Sequence, residues 1–110
     1  MMVDFHAHIL PRMDDGSEST KESVAMLAML AKQGIDSVVA SPHFYLQEND
    51  VAKFVQRRAA AYARLAERME QTPGLPAVYL AAEVAFYSDL CYLDRIDELC
   101  IEGTRYILIE

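Results

Sequence analysis

The feature that most constrains the fold is an alternation of short, nearly all-apolar runs with segments of helical period. Val3–His6, Ile35–Ala40, Ala77–Ala82 and Arg105–Ile109 each read as a strand. A strand with apolar residues on both faces must be covered on both, which is the mark of a parallel sheet with helices packed outside it. Between the first two strands, Val24, Leu27, Ala28, Leu30 and Ala31 recur at helical spacing until Gly34. Ser19 and Glu22 are spaced as a capping box at the start of that helix. A second helix is expected from about Asp50 to Gln71, broken by Thr72-Pro73-Gly74-Leu75-Pro76. A short helical region should cover Asp89 to Leu99, ahead of a turn at Glu102-Gly103. The expected class is α/β, with four parallel strands and outer helices.

Polar residues mark where these strands end. The first runs into His6 and His8, the second into His43, the third into Glu83 and the fourth into Glu110. Carboxyl ends of parallel strands share one rim, where sites of α/β folds form. His6-x-His8 alone is better explained by two solvent-facing side chains at a strand end. Four consecutive strands ending in His or Glu, with Asp14 in the first loop, point instead to a metal-lined rim. Residues two apart on a strand share a face, so both imidazoles can aim at one point. Gly16 is expected to let the loop reverse. Histidines mixed with carboxylates, without thiolates nearby, suit Mn²⁺, Fe²⁺, Zn²⁺ or Mg²⁺. Clustered ions of this kind acidify water and stabilise in-line displacement at phosphorus, so phosphoester hydrolysis is the natural reaction, with amide or amidine hydrolysis also compatible.

Composition narrows the classes. A chain of 110 residues is at most one small domain, and 53% hydrophobic with 25% charged residues describes a globular one. The net charge of −7 argues against nucleic-acid binding and against attachment to anionic membranes. With no apolar run long enough to span a bilayer and no signal-peptide pattern, a soluble cytoplasmic protein is expected. The two cysteines, Cys91 and Cys100, are expected to be buried as small hydrophobes. Cys100 and Arg105 have the wrong spacing for a cysteine phosphatase loop. Half of the ten basic residues, Lys53, Arg57, Arg58, Arg64 and Arg68, lie on the second helix. They suit a solvated outer face, or more sharply a docking face for an acidic partner.

His6-Ala7-His8-Ile9-Leu10-Pro11 with Asp14-Asp15-Gly16, then Ser41-Pro42-His43-Phe44-Tyr45, Ala82-Glu83-Val84 and Tyr106–Glu110, carry a family resemblance along the whole chain. They resemble the bacterial manganese-dependent tyrosine phosphatases of the polymerase-and-histidinol-phosphatase (PHP) superfamily, enzymes of capsule and exopolysaccharide biosynthesis. The Leu-Pro-x-x-Asp-Asp-Gly extension separates this branch from histidinol phosphatases. The resemblance implies a distorted (βα)7 barrel with up to three metal ions, Mn²⁺ foremost, acting on phosphotyrosine of a tyrosine autokinase. It makes His6, His8, Asp14, His43, Glu83 and Glu110 the metal ligands, with Glu110 bridging. Asp15 is given a loop-stabilising role, and Arg12 a possible reach to phosphate. Arg12 stands where the family often has Gly, Ser41 where Thr is usual and Ala81 where Gly is common.

The family barrel is considerably longer and adds a further His, an Asp-x-His pair and a phosphate-binding arginine. All three histidines of this chain are already placed. The expectation is therefore a partial PHP domain over residues 1–110, the N-terminal half of a barrel, with reduced or no activity alone. The alternatives are a histidinol-phosphatase-like hydrolase of small phosphoesters, and a non-catalytic half-barrel that dimerises through its open edges.

Overall fold

A computed structural model describes residues 1–110. β1 (Val3–Ala7) leads through a long loop to α1 (Thr20–Lys32), then β2 (Ser37–Ala40) and β3 (His43–Phe44). α2 (Val51–Glu70), β4 (Ala77–Leu80), β5 (Glu83–Val84), two short 3-10 turns and β6 (Leu108–Ile109) follow. The strands form two parallel three-stranded sheets, ordered β1-β2-β4 and β3-β5-β6.

The class is α/β with parallel strands, but four continuous strands are not what the chain forms. The second and third predicted strands form as β2 and β4, and each is followed after a gap of two residues by a further short strand, β3 and β5, that the sequence reading did not expect. Pro42 has no N–H to give, so the ladder is interrupted after Ala40. Hydrogen bonds from Ala81 N to Ala40 O (2.9 Å) and from Glu83 N to Pro42 O (2.9 Å) carry the pairing across the break. β6 is confined to Leu108–Ile109, and the stretch before it is occupied by turns in which Ile101 N donates to Tyr106 O at 2.8 Å. The predicted helix over Asp89–Leu99 is two 3-10 turns, Ser88–Tyr92 and Ile96–Leu99.

Both long helices start where their caps place them. Ser19 Oγ accepts from Glu22 N (3.0 Å) and Asp50 Oδ1 accepts from Lys53 N (2.8 Å), each satisfying an amide the first turn leaves free. Only the Ser19 half of its capping box forms. At the other end of α1, Gly34 adopts a φ of 85°, a left-handed conformation that Gly reaches without a Cβ clash.

Two apolar clusters result. Ile9, Leu10, Leu27, Val38, Leu65 and Val78 belong to the one beside the first sheet. Phe44, Val51, Phe54, Val84, Leu90 and Leu99 belong to the one beside the second. Met13 packs against both, so the loop after β1 is held down by the core itself. Cys91 is exposed and Cys100 half-buried, against the expectation that both would be core residues. The tight 3-10 turn directs the Cys91 thiol back to Ser88 O rather than inward. Arg58 also departs from the outer-face reading. It is buried, donating from Nη1 to Ala81 O (2.7 Å) and from Nη2 to Glu98 O (3.0 Å), with its guanidinium 5.4 Å from the centre of the Phe54 ring. No helix is long and apolar enough to cross a membrane.

Candidate metal centre

β1 sets the first corner. Asp4 Oδ1 accepts from His6 N (3.0 Å), and the pairing with β2 shifts register between Asp4 and Ala7. His6 and His8 still converge: their ring centres lie 5.1 Å apart, and each brings Nε2 to Glu83 Oε2, at 2.9 and 3.0 Å. His43 opens β3 directly opposite Glu83 in β5, and its Nδ1 lies 3.3 Å from the same oxygen. The breaks after Ala40 and Leu80 therefore do chemical service. They start a second sheet whose first paired residues are both ligand candidates.

The loop after β1 closes the site from the side. Arg12 N donates to Ser17 O (2.9 Å), Ser17 N donates to His8 O (3.1 Å), and buried Ser17 Oγ meets Ser23 Oγ at 2.6 Å. Gly16 presses so closely on β1 that a Cβ there would lie 2.2 Å from His8 O. Its need is space, not the backbone reversal expected of it, because its φ is not among the positive ones. Within this loop Asp14 is the anchor. Its Oδ1 accepts from Gly16 N (3.0 Å), and its Oδ2 accepts from His43 N (3.1 Å) and meets His8 Nδ1 at 3.0 Å. Asp15, expected to steady the loop, makes no hydrogen bond in it. Its carboxylate is exposed, 3.6 Å from His43 Nε2. Arg12 is exposed on the same loop at a φ of 59° and makes no ion pair.

Three overlapping groups of side chains present convergent ligand atoms: His6, His8 and Glu83; His8, Asp14 and His43; His43, Glu83 and Glu110. Each of the six candidate ligands read from the sequence falls in at least one of them. Glu110 is the outermost, more than half exposed, with Oε2 at 3.8 Å from His43 Nδ1.

Burial by itself would raise the Glu83 carboxyl. The close His6 imidazole, together with charge on His43, His6 and His8, outweighs it and holds the group below its usual range. Asp14 behaves alike: burial raises it, while the Gly16 and His43 amides and the His8 side chain bring it below.

The donor set can be tested against a cation. Glu83 Oε2 and His43 Nδ1 are buried and have no hydrogen-bond partner. Buried polar atoms are ordinarily paired, so two orphans facing each other need a reason. Metal–ligand bonds of about 2.1 Å place neighbouring donors roughly 3.0–3.4 Å apart, and the contacts at Glu83 Oε2 run from 2.9 to 3.3 Å. Three imidazole nitrogens and a carboxylate oxygen converge at the spacing that donors of a divalent ion adopt. A neutral imidazole has one lone pair, so His8 can serve one ion through Nε2 while its Nδ1–H donates to Asp14, or turn Nδ1 to the second group.

A family model described as capsular polysaccharide synthesis, CpsB/CapC, matches residues 2–110. The chain belongs to the CpsB/CapC family. Tyrosine-protein phosphatase YwqE of Bacillus subtilis (strain 168) is 32% identical over 114 residues, covering 99% of this chain and 42% of YwqE. Tyrosine-protein phosphatase CpsB of Streptococcus pneumoniae is 33% identical over 116 residues, covering 99% of this chain and 44% of CpsB. Among solved structures, one from the work on those same two proteins, described as unique metal-dependent tyrosine phosphatases, superposes with a TM-score of 0.76 at 29% identity. It covers 98% of this chain and 43% of that one. The chain thus spans less than half the length of the family members it matches.

Three neighbours of the candidate site were given no part in it by the sequence reading. Ser41 is buried, and its Oγ accepts from Ala7 N at 3.2 Å, tying β1 to the start of the break. Tyr45 stacks on His43 with ring centres 5.7 Å apart, extending a column that begins with His8 over His43 at 4.5 Å. Arg57 reaches back from α2 to donate to Met13 O at 3.3 Å. Tyr45 stood two residues beyond His43, the spacing that paired His6 with His8. Arg57 carried no local signal.

Proposed function

We propose that this chain supplies part of the metal centre of a protein-tyrosine phosphatase of capsule or exopolysaccharide synthesis, within a PHP-type barrel larger than residues 1–110. The observation that carries the reading is Glu83 Oε2, buried without a hydrogen bond among three imidazole nitrogens. Membership of the CpsB/CapC family and likeness to metal-dependent tyrosine phosphatases support it. The coverage of 42–44% of the related phosphatases supports the larger barrel.

In this reading His6, His8, Asp14, His43, Glu83 and Glu110 would hold the ions. Bound divalent ions would supply Lewis acidity to the phosphoryl group and acidify water. The chain's own residues do the positioning. Asp14 orients the His8 ring through Nδ1 and holds the His43 backbone through its N–H. Arg12 is free to turn its guanidinium toward a phosphate. Mn²⁺ is the proposed ion, with Fe²⁺, Zn²⁺ and Mg²⁺ admitted by the same donors. The substrate is a phosphotyrosine-bearing protein, proposed to be a tyrosine autokinase, met in the cytoplasm.

Calorimetric titration with Mn²⁺ tests the centre. Glu83→Gln should weaken uptake by more than the roughly 10–100-fold that loss of an outer partner costs, and should abolish any hydrolysis of para-nitrophenyl phosphate. Unchanged Mn²⁺ affinity in that variant would refute the centre.

A further inference from the structure

The second helix carries charge in a pattern the metal centre does not use. Lys53, Arg57, Arg64 and Arg68 are all exposed, whereas Arg58 on the same helix is buried. At about 100° per residue the four fall within roughly 60° of one another around the α2 axis, and from first to last they span about 22 Å. The molecule carries −7 overall, with 17 acidic residues against ten basic ones. Even so, none of the four has a carboxylate within salt-bridge distance. The ion pairs present are the histidine–carboxylate contacts at the rim and Arg95–Glu98.

The stripe has two defined ends. Near its amino end, Arg57 shares a cavity of about 320 Å³ with His43, Tyr45 and three carboxylates, Asp14, Asp15 and Glu48, so it stands at the mouth of the metal rim. At the other end Arg64 and Arg68 line a cavity of about 330 Å³ with Thr20, Glu67 and Gln71. Thr20 is the first residue of α1, so the positive end of that helix dipole adds to the field there. Glu67 is the one acidic side chain in this cavity and pairs with neither arginine.

We propose that this stripe is a docking face for an acidic polypeptide segment, laid along α2 and leading into the metal rim. An extended chain of about seven residues covers the distance. The direction of travel, toward the rim, rests on the phosphatase reading above; the docking itself does not. Charge complementarity selects the partner. Four cations without an ion-pair partner attract an anionic strand locally, most strongly at Arg64 and Arg68, where Glu67 is the one acidic neighbour in the cavity, while the net charge repels extended polyanions such as nucleic acid. Held this way, a segment carrying acidic residues on one side of a phosphotyrosine presents the phosphate beside His43.

The test is fluorescence anisotropy at low salt with a labelled Glu-rich peptide of about ten residues, with and without one phosphotyrosine. Binding of the unphosphorylated peptide should survive EDTA and weaken steeply with added salt. The double variant Arg64→Gln/Arg68→Gln, remote from every metal ligand, should lose roughly three- to thirtyfold in affinity, and Arg64→Lys/Arg68→Lys should restore most of it. Unaltered affinity in the glutamine variant overturns the proposal. So does equal binding of a Lys-rich peptide, or tighter binding of a single-stranded oligonucleotide or of phosphatidylserine vesicles. Loss of acidic-peptide affinity in the variant, with no gain from phosphotyrosine in Mn²⁺, supports the docking face and counts against the phosphatase reading alone.

Discussion

At the scale of single residues, the site depends on close approach as much as on ligand identity. Gly16 lets the loop press on His8, where a methyl group would meet both the carbonyl and the Cβ of that histidine. The loop cannot yield cheaply, since Ser17 on one side is buried and Met13 on the other packs into both apolar clusters. Gly16→Ala must therefore push Asp14 away from His8 and His43. The expected cost is about 1–3 kcal/mol of stability from overpacking, together with a drop in Mn²⁺ affinity larger than Asp15→Asn produces. Thermal melting and calorimetry on the two variants measure both. An alanine variant with native Mn²⁺ affinity would show that Asp14 does not need this geometry.

At the scale of elements, α2 uses neighbouring arginines in opposite ways. Arg58 turns inward and hydrogen-bonds carbonyls from two different segments, Ala81 ahead of β5 and Glu98 in the second 3-10 turn. Burial lowers its pKa, opposed by the charges of Glu102 and Glu98, yet the side chain remains a cation far above neutral pH. Arg64 turns outward and bonds to nothing in the chain. Replacing Arg58 by Leu strands two backbone acceptors and should destabilise the protein by roughly 1–3 kcal/mol in urea unfolding. Arg64→Gln should stay within about 0.5 kcal/mol of the parent. Equal effects at the two positions would mean that Arg58 is not the tie between the helix and the second sheet.

At the scale of the whole molecule, the two sheets meet through the ligands. The β1-β2-β4 sheet presents His6 and His8, the β3-β5-β6 sheet presents His43 and Glu83, and the loop between β1 and α1 brings Asp14. An ion held between them links elements that the apolar clusters stabilise separately. Mn²⁺ at one hundred times its dissociation constant should add about 2.7 kcal/mol. That corresponds to a rise of roughly 10 °C or more in the melting midpoint of a domain this size, reversed by EDTA. A midpoint indifferent to Mn²⁺ would mean that the donors do not converge on an ion in solution.

Much of this was legible in the residues alone. Apolar runs of strand length, Ser19 as a cap, the start of the second helical pattern near Asp50 and Gly34 as a stop are local signals. Local energetics decides them wherever the segment is placed, and α1 and α2 begin accordingly. The closeness of the six residues was legible for a related reason: consecutive parallel strands run toward the same side of the fold, and the loop after the first one returns there. What the sequence could not convey is non-local. The extra strands β3 and β5 depend on Pro42 and on which partner amides reach across the gap, Ala81 to Ala40 and Glu83 to Pro42. Whether an arginine on α2 is buried depends on carbonyls 23 and 40 residues away, Ala81 and Glu98. The tight seat of Gly16 depends on a strand that the loop leaves and then returns to. Residue type and spacing determined which chemistry this chain carries. Tertiary contact alone decided that one oxygen of Glu83 meets three imidazoles, because that convergence is a property of two sheets meeting and of neither one by itself.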